Sequence, residues 1–245
     1  MVDKLLESDE DAFLASSQKV AVLFSDIRHF SAMTESLGAD ETVQVLNAFF
    51  TEMVDVVLRH GGIVDKYIGD AIMAVFGAPV VYPRDADNAI TAALEMVRSL
   101  VRFNEQRTAR GLQPIEAGIG ISTGQVVAGS IGAAKRMDYT VIGENVNLAA
   151  RLEGANKHYG TSVLVSDTTI SQLKSALSWR AIDLMRVTGT SKLISVFEPL
   201  ESYPPGAQSN LKRTRSAYQK GIALYRHRDA RGRPFRLPED RTRAV

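Results

Sequence analysis

Residues 63–76, IVDKYIGDAIMAVF, decide the architecture. They read as two short strands, 63–68 and 71–76, joined at Gly69-Asp70. A glycine followed by a small polar residue supplies the backbone freedom of a tight hairpin turn. Working outward, Gly61-Gly62 ends a helix that Asp40 can cap, with Val43, Leu46, Phe50, Met53 and Val57 on one stripe. Ahead of it lie a short helix over 31–37 and a buried strand over 20–27, VAVLFSDI. Beyond the hairpin, Pro83 opens a helix to about Arg110 with Ala89, Ala93, Met96, Leu100 and Phe103 facing inward. The order strand, helix, strand, strand, helix, strand predicts an α+β fold: a ferredoxin-like split-βαβ core with added strands and helices.

The added elements follow in order. Residues 115–122 and 126–131 are expected to form a strand pair turning at Thr123-Gly124, and 135–142 an excursion from the sheet. Residues 145–159 read as a helix, and further strands fall at 162–165, 179–187 and 194–200, with a helix over 168–177. The expected organisation is a linker or helix end over 1–19, a catalytic domain over 20–202, and a basic extension over 203–245 carrying one amphipathic helix.

Bulk composition narrows the function. The hydrophobic fraction is 45% and the charged fraction 23%, ordinary for a globular protein. The chain has no Cys, which removes disulfides, thiolate metal sites and cysteine nucleophiles together and is compatible with a reducing cytoplasm, the expected location. No apolar run is long enough to cross a membrane, and no signal peptide is evident. The net charge of +1 conceals a balance of +8 from residue 208 onward and −7 before it. An acidic body argues against nucleic acid as a partner, and the basic tail reads as a solvated extension. An anionic ligand on such a body must be held by local devices.

Asp26 ends an apolar strand, where a carboxylate is costly unless it emerges at an edge or meets a cation. Asp70 sits at the hairpin tip, and in a split-βαβ sheet the first strand lies beside that hairpin, so the two carboxylates can converge. They are hard oxygen ligands suited to Mg²⁺ or Mn²⁺, and a two-metal site serves phosphoryl chemistry. A strand-end Asp and a turn Asp also occur without metal, and spacing alone leaves both readings open. Residues 26–31, DIRHFS, lead from strand to helix, where the N–H groups of Phe30 and Ser31 are candidates for phosphate. Asn147 and Arg151 are four apart on a helix and share a face, which without further context is also how a solvated helix face reads.

Four stretches carry a resemblance. FSDIRHFS (24–31), DKYIGDAIMAVFG (65–77), GISTGQVVAGSIG (120–132) and RMDYTVIGENVNLAARLE (136–153) resemble, in order, class III adenylate/guanylate cyclases. The resemblance implies that Asp26 and Asp70, with the Ile27 carbonyl, hold two divalent cations, Mg²⁺ or Mn²⁺. It implies that Lys66 and Thr140 select the purine and that Asn147 and Arg151 act on the transition state. It further implies a head-to-tail homodimer in which one protomer supplies Asp26 and Asp70 and the other the remaining four. Lys66 can donate but not accept, which favours ATP over GTP. The implied reaction is ATP to 3′,5′-cyclic AMP and pyrophosphate; a guanylate cyclase or a nucleotide-binding cyclase-like module are the alternatives. An upstream sensor or regulatory domain is implied as a partner, and with it the chance that the full-length protein is membrane-attached.

Two departures concern the triphosphate. Where some cyclases of this kind carry a basic residue, Gly118 stands, and where many carry Lys beside a glycine, Thr188 and Thr190 flank Gly189. His29 stands where the family often has glycine.

Overall fold

The computed structural model describes residues 15–133, 135–186 and 193–228. The strands are β1 (Ser16–Ile27), β2 (Ile63–Ile68), β3 (Ala71–Phe76), β4 (Ala117–Ala133), β5 (Arg136–Ile142), β6 (Val163–Ser166), β7 (Trp179–Arg186) and β8 (Leu193–Pro199). The helices are α1 (Phe30–Ser36), α2 (Ala39–Arg59), α3 (Asp85–Ala109), α4 (Glu144–Tyr159), α5 (Asp167–Ile170) and α6 (Pro205–Arg228), with a 3₁₀ turn at Leu200–Ser202. The strands make one sheet in the order β2-β3-β1-β4-β6-β8-β7, with β5 paired to β4. Its first four strands are the expected split-βαβ core: β1 lies antiparallel to both β3 and β4, and the β2–β3 hairpin sits at the edge.

Alternation along β1 builds both halves of the interior. Ala21 and Leu23 join the core under α2 and α3, while Val20, Val22 and Phe24 join the core on the opposite face. β3 does the same, with Ile72, Ala74 and Phe76 on the first face and Met73 and Val75 on the second. This period of two places Asp26 on the same face as Phe24, the face that α4 covers. The α2 stripe is shifted from expectation: Val43 is 53% exposed, Leu46 and Phe50 are partly buried against the core, and the fully buried set is Val45, Phe49, Met53, Val56 and Val57. Val45, two residues on and nearly opposite on the helix, is buried, so Val43 lies on the outer side of α2.

Three local expectations are corrected. β4 runs through Thr123-Gly124 without turning, because β1 starts at Ser16 and its twelve residues pair with β4 along its whole length, up to Ser16 opposite Ala128. Residues 136–142 belong to the sheet, since the outer part of β4 offers them a pairing edge from Val127 to Ala133. The expected helix over 168–177 stops at Ile170, where Lys174 and Ser175 instead give their N–H groups to the Asp87 carboxylate.

α4 is bolted to β4 at three points. Asn145 accepts from Ser122 Oγ at 3.0 Å and donates to the Gln125 carbonyl at 3.2 Å. Asn156 donates to the Ile119 carbonyl at 2.9 Å and accepts from Thr161 at 2.9 Å. Between them the helix backbone rests on Gly120, where a Cβ would stand 2.2 Å from both the Ala149 carbonyl oxygen and the Glu153 nitrogen. Gly120→Ala therefore cannot be absorbed by a side-chain rotation. We expect a loss of about 2–4 kcal/mol, at or above the usual range for overpacking, read by urea unfolding; a stability within 0.5 kcal/mol of wild type, about the noise of a surface substitution, would contradict this contact.

Candidate functional site

At the end of β1, Asp26 pairs in register with Gly118 of β4. Asp70 occupies the two-residue turn between Ile68 and Ala71, with Gly69 at φ 64° supplying the left-handed step. Because β1 pairs with β3 up to Ser25 opposite Ile72, the next residues bring the two carboxylates together. Burial, the side-chain hydrogen bond with Asp70 and its charge push the Asp26 carboxyl up to about 8. Two carboxylates sharing one proton are poorly served by water alone and well served by a divalent cation. The Ile27 residue beside them is buried, and its N–H donates to Asp26 Oδ1 at 3.0 Å. No cluster of three or more His, Asp or Glu placed for a metal occurs among the described residues. The groups brought together are two carboxylates, hard oxygen donors that suit Mg²⁺ or Mn²⁺ better than a softer metal.

A third carboxylate stands nearby that the sequence reading passed over. Glu153, two residues beyond Arg151, reaches toward Gly118, with Oε1 2.5 Å from where a Cβ would be. Burial pushes it up to about 7, Arg28 opposes this, and Asp70 adds to it. An acid therefore stands beside Gly118. Its signal was present in the RLE ending of the quoted motif, but helix spacing does not say which strand a side chain meets. Thr188 and Thr190 lie outside the described residues.

α1 begins at Phe30, which packs partly buried against the α2 and α3 core, and Ser31 is exposed. Its cap, His29, adopts φ 57°, ψ 24°, the left-handed conformation in which glycine is at ease. His29 thus takes up the conformation that a glycine would, with its ring exposed.

On α4, Asn147 is exposed and Arg151 half-buried. Arg151 Nη1 is buried without a hydrogen-bond partner. Such a donor is costly unless something else uses it. Lys66 and Thr140 are brought together by a residue that sequence reasoning missed. Asp65, with a side chain 2% exposed, lies 3.2 Å from the Lys66 ammonium and accepts from Thr140 Oγ1 at 2.8 and 3.0 Å. Among the described residues, neither Asn147 nor Arg151 hydrogen-bonds to the Asp26–Asp70 pair or to Lys66 and Thr140.

Residues 14–198 match the model of the adenylate and guanylate cyclase catalytic domain. Adenylate cyclase 1 of Rhizobium meliloti is 37% identical over 181 residues, 74% of this chain and 27% of that protein. An adenylate cyclase of Anabaena cylindrica is 38% identical over 191 residues, 75% of this chain and 37% of that one. The chain thus spans between a quarter and two fifths of these relatives' length. Among solved structures, the adenylyl cyclase CyaB of P. aeruginosa superposes with a TM-score of 0.70 at 35% identity, covering 76% of this chain and 95% of that one. The guanylyl cyclase Cya2 superposes at 0.68, also at 35% identity, covering 78% and 96%. Overall similarity is equal toward an adenylyl and a guanylyl enzyme, so the choice of purine must be read from individual side chains. No helix among the described residues is long and apolar enough to cross a membrane.

Proposed function

We propose, from the premise that this chain belongs to the adenylate and guanylate cyclase catalytic domain family, that it converts ATP to 3′,5′-cyclic AMP and pyrophosphate as a head-to-tail homodimer. The observation that carries the reading is the hydrogen-bonded pair Asp26–Asp70 at one end of β1. Asp26 and Asp70, with the Ile27 carbonyl, are the groups that would hold the two divalent cations, Mg²⁺ or Mn²⁺. Bound cations supply positive charge that acidifies the ribose 3′-OH and offsets charge on the phosphates.

The protein's own groups do the rest. Lys66 donates to purine N1 and Thr140 accepts from the 6-amino group, a pattern that adenine meets and guanine does not. Asn147 orients the ribose. Arg151 brings its unpartnered guanidinium N–H to the α-phosphate as negative charge grows there. Phe30 and Ser31 offer backbone N–H groups at the α1 N-terminus to the triphosphate. The 3′-OH gives up its proton to water, its oxygen attacks the α-phosphorus, the bond to the bridging oxygen breaks, and pyrophosphate leaves. Both half-sites lie on one chain, so closed two-fold symmetry yields two sites.

Purified protein incubated with Mn²⁺ and either ATP or GTP, with products resolved by chromatography, tests this directly. Cyclic AMP is the expected product, in excess over cyclic GMP. A folded, dimeric sample that forms neither would overturn the enzyme reading, and one that forms mainly cyclic GMP would overturn the choice of ATP.

A further inference from the structure

We infer that Asp65 is the residue that sets the hydrogen-bond polarity of the purine site, turning Thr140 into an obligate acceptor and holding Lys66 as the donor beside it. The inference rests on the reading of Lys66 and Thr140 as the purine-contacting pair, and it adds what neither residue can do alone. A threonine hydroxyl has one hydrogen to give and lone pairs to accept with. Unaided, Thr140 could accept from the 6-amino group of adenine or donate to O6 of guanine, and so would not choose between them. Asp65 removes the second option. Both of its oxygens lie within 3.0 Å of Thr140 Oγ1, and a carboxylate only accepts, so the single hydroxyl hydrogen is spent on it. The Val141 N–H, at 3.3 Å from Oδ2, helps hold the carboxylate in place, and the Lys66 ammonium at 3.2 Å from Oδ1 balances its charge.

The backbone explains how adjacent residues reach this arrangement. The β2–β3 register slips between Val64 and Lys66: Val64 pairs with Ala74 and Lys66 with Met73, leaving Asp65 as the extra residue of a bulge. Strict alternation would set Lys66 on the face of Val64, which packs with the α2 and α3 core. The bulge moves it to the face of Met73, while the Asp65 carboxylate spans from its ammonium to Thr140 Oγ1 of β5. Lys66, 42% exposed on its side chain, thereby presents donors next to a Thr140 that has none left to give. Adenine matches both positions; guanine, with N1–H and O6, opposes both.

Asp65 is a positioning residue in this scheme, and a purely structural tie between β2 and β5 would affect all nucleotides alike. The test is the ratio of affinities of the full chain, with Mn²⁺, for 3′-deoxy-ATP and 3′-deoxy-GTP, which lack the attacking hydroxyl, measured calorimetrically. Wild type should favour the adenine compound about tenfold or more. Asp65→Asn, whose amide can donate to Thr140 and release its hydroxyl, should cut that preference at least about fivefold. Asp65→Ser serves the same purpose if the Asn variant misfolds. In turnover, the loss for ATP should fall on KM rather than kcat. If folded Asp65 variants keep the wild-type ratio while Thr140→Val loses it, the assignment to Asp65 is wrong and the purine site stands. If Thr140→Val and Lys66→Ala leave the ratio unchanged as well, the purine-site reading itself falls and takes this inference with it.

Discussion

An Asp26→Ala chain co-expressed with an Arg151→Ala chain should recover about a quarter of wild-type cyclase activity, although each variant alone is nearly inactive. The value follows from the proposed symmetry. Half of randomly formed dimers are mixed, and each mixed dimer keeps one site with Asp26 from one chain and Arg151 from the other. Its second site lacks both. Arg151→Ala alone should lose about 10²–10³ in kcat, the scale of removing a preorganised donor from a growing oxyanion. The design is informative because the two residues lie on separate elements, the end of β1 and the middle of α4, with no hydrogen bond between them among the described residues. Activity that stays at the level of the separate variants, in a sample shown to contain mixed dimers, would mean that the sites are not shared.

Asp26→Asn should move stability and turnover in opposite directions. In the folded, metal-free protein the Asp26 carboxyl is pushed up to about 8 from an ordinary 3.8. The folded state therefore binds this proton more tightly than the unfolded chain. The stability it contributes is full below about pH 4, declines through the interval above, and is lost once the pH passes 8. Glu153, raised to about 7, adds a decline of the same sign. An asparagine keeps the shape without the charge. In chelator at pH 8 the variant should be more stable by about 1–3 kcal/mol, allowing for solvent screening of a partly exposed pair. At pH 4 the difference should nearly vanish. Turnover should fall more than about a hundredfold, because several kcal/mol of charge stabilisation depends on that ligand. Thermal melts at the two pH values, with and without Mn²⁺, check this. A variant no more stable than wild type at pH 8, or one still stabilised by Mn²⁺ as strongly as wild type, would contradict the shared carboxylate site.

Much of the frame was legible because it is local. The hairpin at Gly69-Asp70, the alternation of residues 20–27 and the shared face of Asn147 and Arg151 depend on neighbours within a few positions. The errors arose where pairing is remote. Thr123-Gly124 carries turn residues, yet β4 continues because β1 is long enough to pair past it. Residues 136–142 lack a strong pattern of their own and become a strand because β4 supplies an edge. Lys174 and Ser175 leave the helix because Asp87, far back in the chain, takes their N–H groups.

The amino-acid sequence by itself determined the α+β core, the positions of the two aspartates and the donor–acceptor identity of Lys66 and Thr140. Periodicity, turn chemistry and donor–acceptor identity are properties of single residues and near neighbours. Only the tertiary structure decided which way those residues act. The slip at Asp65 turns Lys66 to the face of Met73, and the carboxylate spends the hydroxyl hydrogen of Thr140, 75 positions away. Strand register and hydrogen-bond direction are set by partners that come together only when the chain has folded, and no local pattern encodes them.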